Sequence, residues 1–313
     1  MNFLDTGCTI RLISQLVLFL GIIPAVACPQ TPPPSAASPG DKPLPDIPTL
    51  MRAVEANQRK AETIEREYIY RQQNRLDERD SHGGIKKTEA HDFEVFWLDE
   101  VQVHRHLSKD GKPPTAEEQK KENERIDEVV MRARERRDKA DAQGKETDSH
   151  GRDEITVARI LELGSFSNPR REVVNGRPTI AVDYLGDQHA KTRNPGESAL
   201  KELAGTVWID EQDHFIQHTE GHFDHDFKVM GGLAVDVKKG TWFKLSFVKI
   251  NDEVWLPQSI EGDGHARYLL FFSLSGHFVS HSSDYRKFKA TSTILPGYTP
   301  VPDAPPPEND RRF

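Results

Sequence analysis

The segment from Gly205 to Ala290 is a succession of strand-like runs, and this pattern constrains the fold more strongly than any other. Short runs rich in β-branched and aromatic residues alternate with turn residues such as Gly, Asn and Asp. Consecutive strands with short connections form an antiparallel meander, and helices before and between them can cover only one of its faces. The runs predict strands at Gly205–Asp210, His214–Phe223, Leu233–Val237, Thr241–Ile250, Glu253–Glu261, Ala266–Leu274 and Phe278–Phe288.

The part of the chain before this meander mixes helices with further strands. Apolar residues recur at helical spacing between Ile47 and Arg66, and Asn175-Gly176 is a typical hairpin turn between two strands. An α+β class follows from this order of elements. The remaining elements are predicted as strands at Glu67–Leu76, Lys86–Leu98, Val101–Leu107, Arg171–Val174 and Thr179–Tyr184, and as short helices at Asp153–Leu163 and Pro195–Ala204.

A highly charged segment, residues 115–143, interrupts this order. Thr115 and Glu118 form a capping box, and the residues up to Ala142 are strong helix formers, so a helix of about seven turns is predicted. Its apolar residues form one short stripe, which consists of Ile126, Val129, Val130 and Ala133. The stripe is too short for a coiled coil, and we expect an inserted arm docked over two turns, which could also contact a protein partner.

The N-terminus predicts export. Arg11 precedes an apolar stretch that ends at Ala27 and is too short for a membrane span, and Pro24 would end a helix there. Ala25-Val26-Ala27 supplies small residues at a cleavage site, and Cys28 follows. Residues 1–27 are therefore predicted to be a signal peptide, cut either by a type I signal peptidase or by the lipoprotein peptidase that acts before a lipidated cysteine.

The chain after Cys28 is typical of a tether. Residues 28–48 are mostly Pro, Ser, Ala, Thr and Gly, and residues 291–313 form a second Pro-rich tail, predicted to be disordered. An acylated Cys28 would hold the domain at residues 49–290 against a membrane on its periplasmic side. Pro29 is not the Asp that retains lipoproteins at the inner membrane, which favours the outer membrane.

Composition excludes several functions. The formal net charge of −8 argues against binding nucleic acid, and Cys8 and Cys28 leave no disulfide after processing. Signatures of hydrolases, metalloproteases and nucleotide-binding loops are missing, so we expect neither an enzyme nor a cofactor.

The histidines offer a competing function. His214, His218 and His222 would share one strand face, with Asp224, His225 and Asp226 just beyond, and imidazole beside carboxylate can bind zinc. Residues four apart on a strand are about 13 Å from each other, so the three cannot share one ion. Only a close pair such as His222 and Asp224, or a hairpin partner, could converge, and we expect a solvated face without metal. His104 and His106 form a similar alternating pair.

Four short motifs resemble the closing strands of the outer-membrane lipoprotein-sorting superfamily, the LolA/LolB-like carriers. The motifs are GTVWID at Gly205–Asp210, GTWF at Gly240–Phe243, VWLP at Val254–Pro257 and YRKF at Tyr285–Phe288. The resemblance implies a curved antiparallel half-barrel whose concave face is plugged by helices and shelters acyl chains. The motifs themselves build the sheet. A tether at Cys28 departs from the soluble carrier and favours a receptor-like or sensor-like member, and the charged helix has no counterpart in the carrier pattern.

The strand pattern places an apolar surface where that resemblance puts the ligand. Phe243, Leu245 and Phe247 share one face of a strand, and the stretch from Tyr268 to Phe272 is apolar on both faces. The residues predicted to line a slot for lipid or for the acyl chains of a lipoprotein are Phe243, Leu245, Phe247, Leu256, Leu270 and Phe272. The alternatives are an interaction scaffold with a self-filled barrel, in which the charged helix binds a protein partner, and a zinc-dependent envelope hydrolase.

Overall fold

The computed structural model describes residues 43–80, 82–144, 147, 150, 155, 157–268 and 272–288, without the side chains of residues 268 and 272–274. The predicted signal peptide, Cys28, most of the tether, Leu270 and the C-terminal tail lie outside the described residues, and so does the side chain of Phe272. In this described portion, no helix combines the length and apolar character that crossing a bilayer requires.

The predicted α+β class is confirmed, because a 12-stranded sheet forms most of the domain and every strand pair is antiparallel. The sheet is open, with the order β3-β2-β1-β12-β11-β10-β7-β6-β5-β4, and β9 joins the hairpin strand β8 to β11. The strands are β1 Tyr68–Arg79, β2 Ile85–Leu98, β3 Val101–Lys109, β4 Gly164–Val174, β5 Arg177–Gly186, β6 Ala204–Asp210, β7 Ile216–His222, β8 Phe227–Val229, β9 Val235–Val237, β10 Trp242–Ile250, β11 Val254–Tyr268 and β12 Phe272–Lys287.

Among the described residues, four α-helices accompany the sheet. They are α1 Ile47–Glu65, α2 Ala116–Asp141, α3 Val157–Leu163 and α4 Pro195–Leu200. The Asp46 side chain accepts a hydrogen bond from the Thr49 backbone N–H and so begins α1. The predicted Asn175-Gly176 turn is present, and both residues have positive φ, as a two-residue hairpin loop requires.

The sheet curves around α1. This helix contacts both β4 and β11, which are five positions apart in the strand order. In a flat sheet, strands five positions apart would be separated by about 24 Å, roughly twice the diameter of a helix. The sheet must therefore bend for one helix to touch both strands, which agrees with the predicted half-barrel and its helical plug.

The charged helix α2 docks where the sequence predicted. Ile126, Val130 and Ala133 are buried against Phe96, Val101 and Val103 of β2 and β3. The helix also protects the edge strand β3, because Glu122 accepts a hydrogen bond from the His106 backbone N–H and Arg125 donates to the His104 carbonyl. The capping box at Thr115 and Glu118 is present.

The strand prediction is wrong in two places. Ala266–Leu274 was predicted as one strand, but β11 ends at Tyr268 and β12 begins at Phe272. The prediction also left Gly262-Asp263-Gly264 as a turn between strands ending at Glu261 and beginning at Ala266, but β11 passes through this run without interruption. Gly264 pairs with Gly276 of β12, and both residues have positive φ. A Cβ at Gly276 would overlap the Asp77 carbonyl oxygen, so glycine here allows neighbouring strands to approach closely within a curved sheet.

We predict that Gly276→Ala lowers the free energy of unfolding by about 2–5 kcal/mol, because it adds a steric overlap to an unfavourable backbone conformation. Gly111→Ala is the matched control, since Gly111 also has positive φ but nothing lies within 4 Å of an added Cβ. It should cost only about 1–2 kcal/mol. Urea denaturation of both variants measures the difference, and equal losses would contradict the close-approach explanation.

Candidate ligand-binding cavity

A cavity of about 60 Å³ lies between α1, the α3 and α4 helices and the inner face of β4–β7, and it is partly open to solvent. Most of its surface is apolar. The lining residues are Met51, Val54, Gln58, Val157, Ile160, Phe166, Tyr184, Leu200, Leu203, Gly205, Thr206, Val207, Ile216, Thr219 and Glu220.

The cavity is small for a lipid. A dry cavity of roughly 150 Å³ in another protein accommodates benzene, so the present volume holds a fraction of an acyl chain at most. A hydrocarbon tail can enter only if one wall of the cavity moves outward. The contacts that hold the walls differ in their chemistry, with an ion pair for α3 and α4, and apolar contacts for α1.

The wall formed by α3 and α4 is held by a buried ion pair. Arg159 of α3 donates to Glu197 of α4 through Nε (3.0 Å) and Nη2 (2.8 Å), and the Glu197 side chain is 3% exposed. Burial alone would raise the pKa of Glu197, but hydrogen bonds from Arg159 and the Arg193 backbone N–H outweigh it and lower that pKa. A bidentate pair of this kind fixes the relative position of the two helices.

The wall formed by α1 makes apolar contacts with the sheet, besides polar ones such as that of Asn57 with the Asp213 carbonyl. Leu50, Met51 and Val54 pack against Ile209 and Ile216, together with other residues of the same buried cluster. Such contacts have no directional requirement and can reform around a hydrocarbon chain. Because α1 also completes the core, it is the wall whose displacement would both open the cavity and expose its own apolar stripe.

A polar cluster lies at one end of the sheet. Asp210, the last residue of the GTVWID motif, accepts hydrogen bonds from Arg177 Nε (2.5 Å) and from the Asp213 backbone N–H (2.8 Å). The Asp213 carboxylate accepts a hydrogen bond from Trp255 Nε1 at 3.0 Å. The backbone carbonyl of Asp213 accepts one from Asn57 Nδ2 of α1, also at 3.0 Å. The cluster therefore joins α1 to the turns at one end of the sheet.

The sequence motifs contact one another directly. Trp255 of VWLP reaches the turn after GTVWID, and Tyr285 of YRKF donates its hydroxyl to the Pro257 carbonyl at 2.6 Å. Both contacts link strands, which agrees with the interpretation of the motifs as determinants of the fold.

Four of the six predicted ligand-lining residues lie in the core. Phe243, Leu245 and Phe247 share the buried face of β10, as the alternation predicted, and Leu256 packs with Tyr68 and Val254 in a smaller cluster. In the described part of the chain, none of these four lines the cavity. Leu270 and the Phe272 side chain lie outside the described residues. A role of these six residues in lipid binding stays a prediction.

The histidines lie on the sheet's other face and in its turns. His218 hydrogen-bonds to Ser246 Oγ (2.9 Å) and Glu220 Oε1 (3.2 Å), and His222 is 3.6 Å from Asp224. His214 precedes β7 and has positive φ, so the strand begins two residues later than predicted. Across the described ranges, no three His, Cys, Asp or Glu side chains form a group that could hold a metal ion.

Sequence reasoning missed the residues that line the cavity. The signal was present in part, because Thr219 alternates with the histidines of β7 and so faces the opposite side of the strand. Val54 also belonged to the apolar stripe of the first helix. What local patterns could not show is that α1 and β7 meet around an unfilled space.

No family model matches the sequence, and no curated protein does. Among solved structures, the chain is similar to an outer membrane lipoprotein-sorting protein domain from Vibrio parahaemolyticus, with 10% identity, 75% of this chain and 95% of that chain covered, and a TM-score of 0.31. It is also similar to a DUF1329 family protein from Desulfovibrio piger, with 10% identity, 77% and 95% covered, and a TM-score of 0.30.

A third similar structure is a complex of MucA and MucB from Pseudomonas aeruginosa, with 6% identity, 76% of this chain and 100% of that chain covered, and a TM-score of 0.24. The first of the three names agrees with the superfamily that the sequence resembles. At these identities and TM-scores, the likeness carries no argument about ligand or partner.

We predict that Asp210→Asn destabilises the domain by about 1.5–3 kcal/mol at pH 7, because Arg177 loses a charged acceptor. Burial alone would raise the pKa of Asp210, but hydrogen bonds from Arg177 and two backbone N–H groups outweigh it and lower that pKa. The ionised carboxylate therefore contributes its full stabilisation above the unfolded pKa of about 3.9 and loses it as pH falls through the lower folded value.

Urea denaturation between pH 7 and pH 3 measures this effect. The stability difference between wild type and Asp210→Asn should be constant above about pH 5 and shrink at lower pH. Asp99→Asn is the control, because Asp99 pairs with Arg134 on the surface and should change stability by less than about 1 kcal/mol. A difference that grows on acidification would contradict the assignment.

Proposed function

We propose that this chain is a non-catalytic, periplasm-facing lipoprotein that binds an apolar ligand, either a lipid or the acyl chains of a lipoprotein, in envelope transport or sensing. The observation that carries the proposal is the partly open apolar cavity between α1 and β4–β7. Concave, mostly apolar sites with a few polar groups are the usual form of small-ligand sites.

Binding would derive from burial. Each methylene group removed from water contributes about 0.8 kcal/mol, so a partly enclosed chain can be held without a charged contact. Entry of the chain requires α1 to move away from β6 and β7, while the Arg159–Glu197 pair keeps α3 and α4 in place. The ligand would then replace α1 as the apolar surface against Ile216 and Val207.

The same mechanism suits attachment at a membrane. The described domain begins only a few residues before α1, and the preceding residues include Cys28, the proposed lipidation site. A tether of this composition would hold the domain close to the bilayer, with the outer membrane favoured by the residue after the cysteine. Export, lipidation and the choice of membrane are parts of the proposal.

A second candidate function is an interaction scaffold. The small volume of the cavity favours this function, because the domain's own side chains occupy most of the space against the inner face of the sheet. The charged helix α2 would be its binding surface, because only Ile126, Val130, Ala133 and Ala140 of its residues are buried. A folded domain that binds no apolar probe would favour the scaffold over the carrier.

We predict that Val207→Phe weakens binding of the uncharged dye N-phenyl-1-naphthylamine by at least about tenfold, because the larger side chain fills the cavity. Val207 lines the cavity and is partly exposed, so the substitution need not unfold the domain. Dye fluorescence titration measures binding, and circular dichroism confirms folding.

Val173→Phe is the matched control, because Val173 is 72% exposed on β4 and lies away from the cavity. It should bind the dye as wild type does. Unchanged binding in a folded Val207→Phe variant would show that the dye binds outside this cavity. Absence of dye binding in the wild-type protein would refute the carrier proposal.

A further inference from the structure

Two polar side chains on the inner side of β7 have unmet hydrogen-bonding capacity. Thr219 Oγ1 and both amide atoms of Gln217 have no hydrogen-bond partner among the described residues. Thr219 is 6% exposed and Gln217 is 2% exposed. A buried polar group without a partner costs about as much free energy as a lost hydrogen bond, and native proteins rarely leave one. Two such side chains on the same side of one strand therefore indicate that a hydrogen-bonding partner is missing.

Their position relates them to the cavity. Thr219 lines the cavity, whereas the hydroxyls of two other lining residues are already used: Tyr184 donates to the Leu200 carbonyl at 3.3 Å and Thr206 donates to Asp183 at 2.8 Å. Gln217 is not one of the lining residues; it lies two residues before Thr219 and is the extra residue of a β-bulge, because β6 pairs Trp208 with His218 and Ile209 with Ile216. Bulges commonly redirect a side chain next to a functional site.

The charges around the cavity restrict what the missing partner can be. Within the part of the chain that the structure describes, no Lys, Arg or His side chain lines the cavity. Glu220 borders the cavity, but its carboxylate lies on the opposite face of β7, where it is 3.0 Å from Lys244 Nζ and 3.2 Å from His218 Nε2. It supplies no cation to the cavity either.

An ionised ligand group is therefore disfavoured in the cavity. A carboxylate or phosphate placed beside Thr219 would be desolvated without a cationic partner. An ester, amide or hydroxyl group carries no charge and can accept from the Thr219 hydroxyl and exchange hydrogen bonds with the Gln217 amide.

We propose that the cavity selects lipids whose buried polar group is an uncharged ester, amide or hydroxyl, held by Thr219 and Gln217, while ionised head groups remain in solvent. This inference rests on the proposed function, because it names the ligand class of the same site. The apolar lining supplies affinity, and the two polar side chains set where along the lipid the acyl chain begins.

The test compares three probes of one chain length at pH 7.4: methyl dodecanoate, dodecanoate and dodecane. Displacement of N-phenyl-1-naphthylamine from the full chain reports the affinity of each. We expect the ester to bind at least about tenfold more tightly than the ionised acid. An acid that binds as tightly as its ester would overturn the inference while leaving the carrier proposal intact.

Thr219→Val separates the polar contact from the shape of the cavity. The variant should bind the ester about 5–10-fold more weakly and dodecane as well as wild type does. Without ligand it should melt roughly 2–4 °C higher, because it removes an unpaired buried hydroxyl. A purely structural threonine would show neither the selective loss nor this gain.

Thr241→Val is the matched control. Thr241 is also 6% exposed, lies outside the cavity lining, and donates its hydroxyl to the His265 carbonyl at 3.0 Å. The control should melt at a lower temperature and keep the wild-type preference for the ester. Equal ester binding by wild type and Thr219→Val would overturn the inference. Failure of all three probes to bind wild type would refute the proposed function itself and the inference with it.

Discussion

The packing of α1 inside the curved sheet is the contact on which the rest of the structure depends. Leu50, Met51 and Val54 are almost fully buried against the inner face, and burial of each such side chain contributes about 1.5–3 kcal/mol. Strands β4 and β11 can both reach this helix only because the sheet bends, and paired glycines such as Gly264 and Gly276 allow the close strand approach. The helix that completes the core is thus also a wall of the cavity.

This double role explains how the domain could be stable and still admit a ligand. The α3–α4 wall is fixed by the buried Arg159–Glu197 pair, and the apolar contacts of α1 with the sheet are ones that a hydrocarbon chain can replace. The unpaired hydroxyl of Thr219 and amide of Gln217 make the empty cavity less stable than an apolar interior would be. A ligand that hydrogen-bonded to these groups would recover this loss. The same two side chains therefore lower the stability of the domain without ligand and strengthen ligand binding.

The sequence was informative wherever local chemistry decides the structure. Three features that depend only on nearby residues were predicted: the capping box at Thr115, the apolar stripe of the charged helix α2, and the Asn175-Gly176 turn. The turn predicted at Gly262–Gly264 was wrong because those glycines serve a contact with a neighbouring strand, which local composition does not show. The apolar face of Phe243 was recognised, yet the cavity formed elsewhere, since its position depends on how α1 crosses β7.

Mass spectrometry of the intact chain, purified from bacterial membranes, tests the central claim most directly. A spectrum under native conditions retains non-covalent ligands, and a denaturing spectrum retains only covalent acyl groups, so their difference isolates what the cavity holds. The account predicts one acyl lipid per folded chain in the native spectrum, lost on denaturation. A folded chain with the same mass under both conditions would show that α1 closes an empty core, and the carrier interpretation would be contradicted.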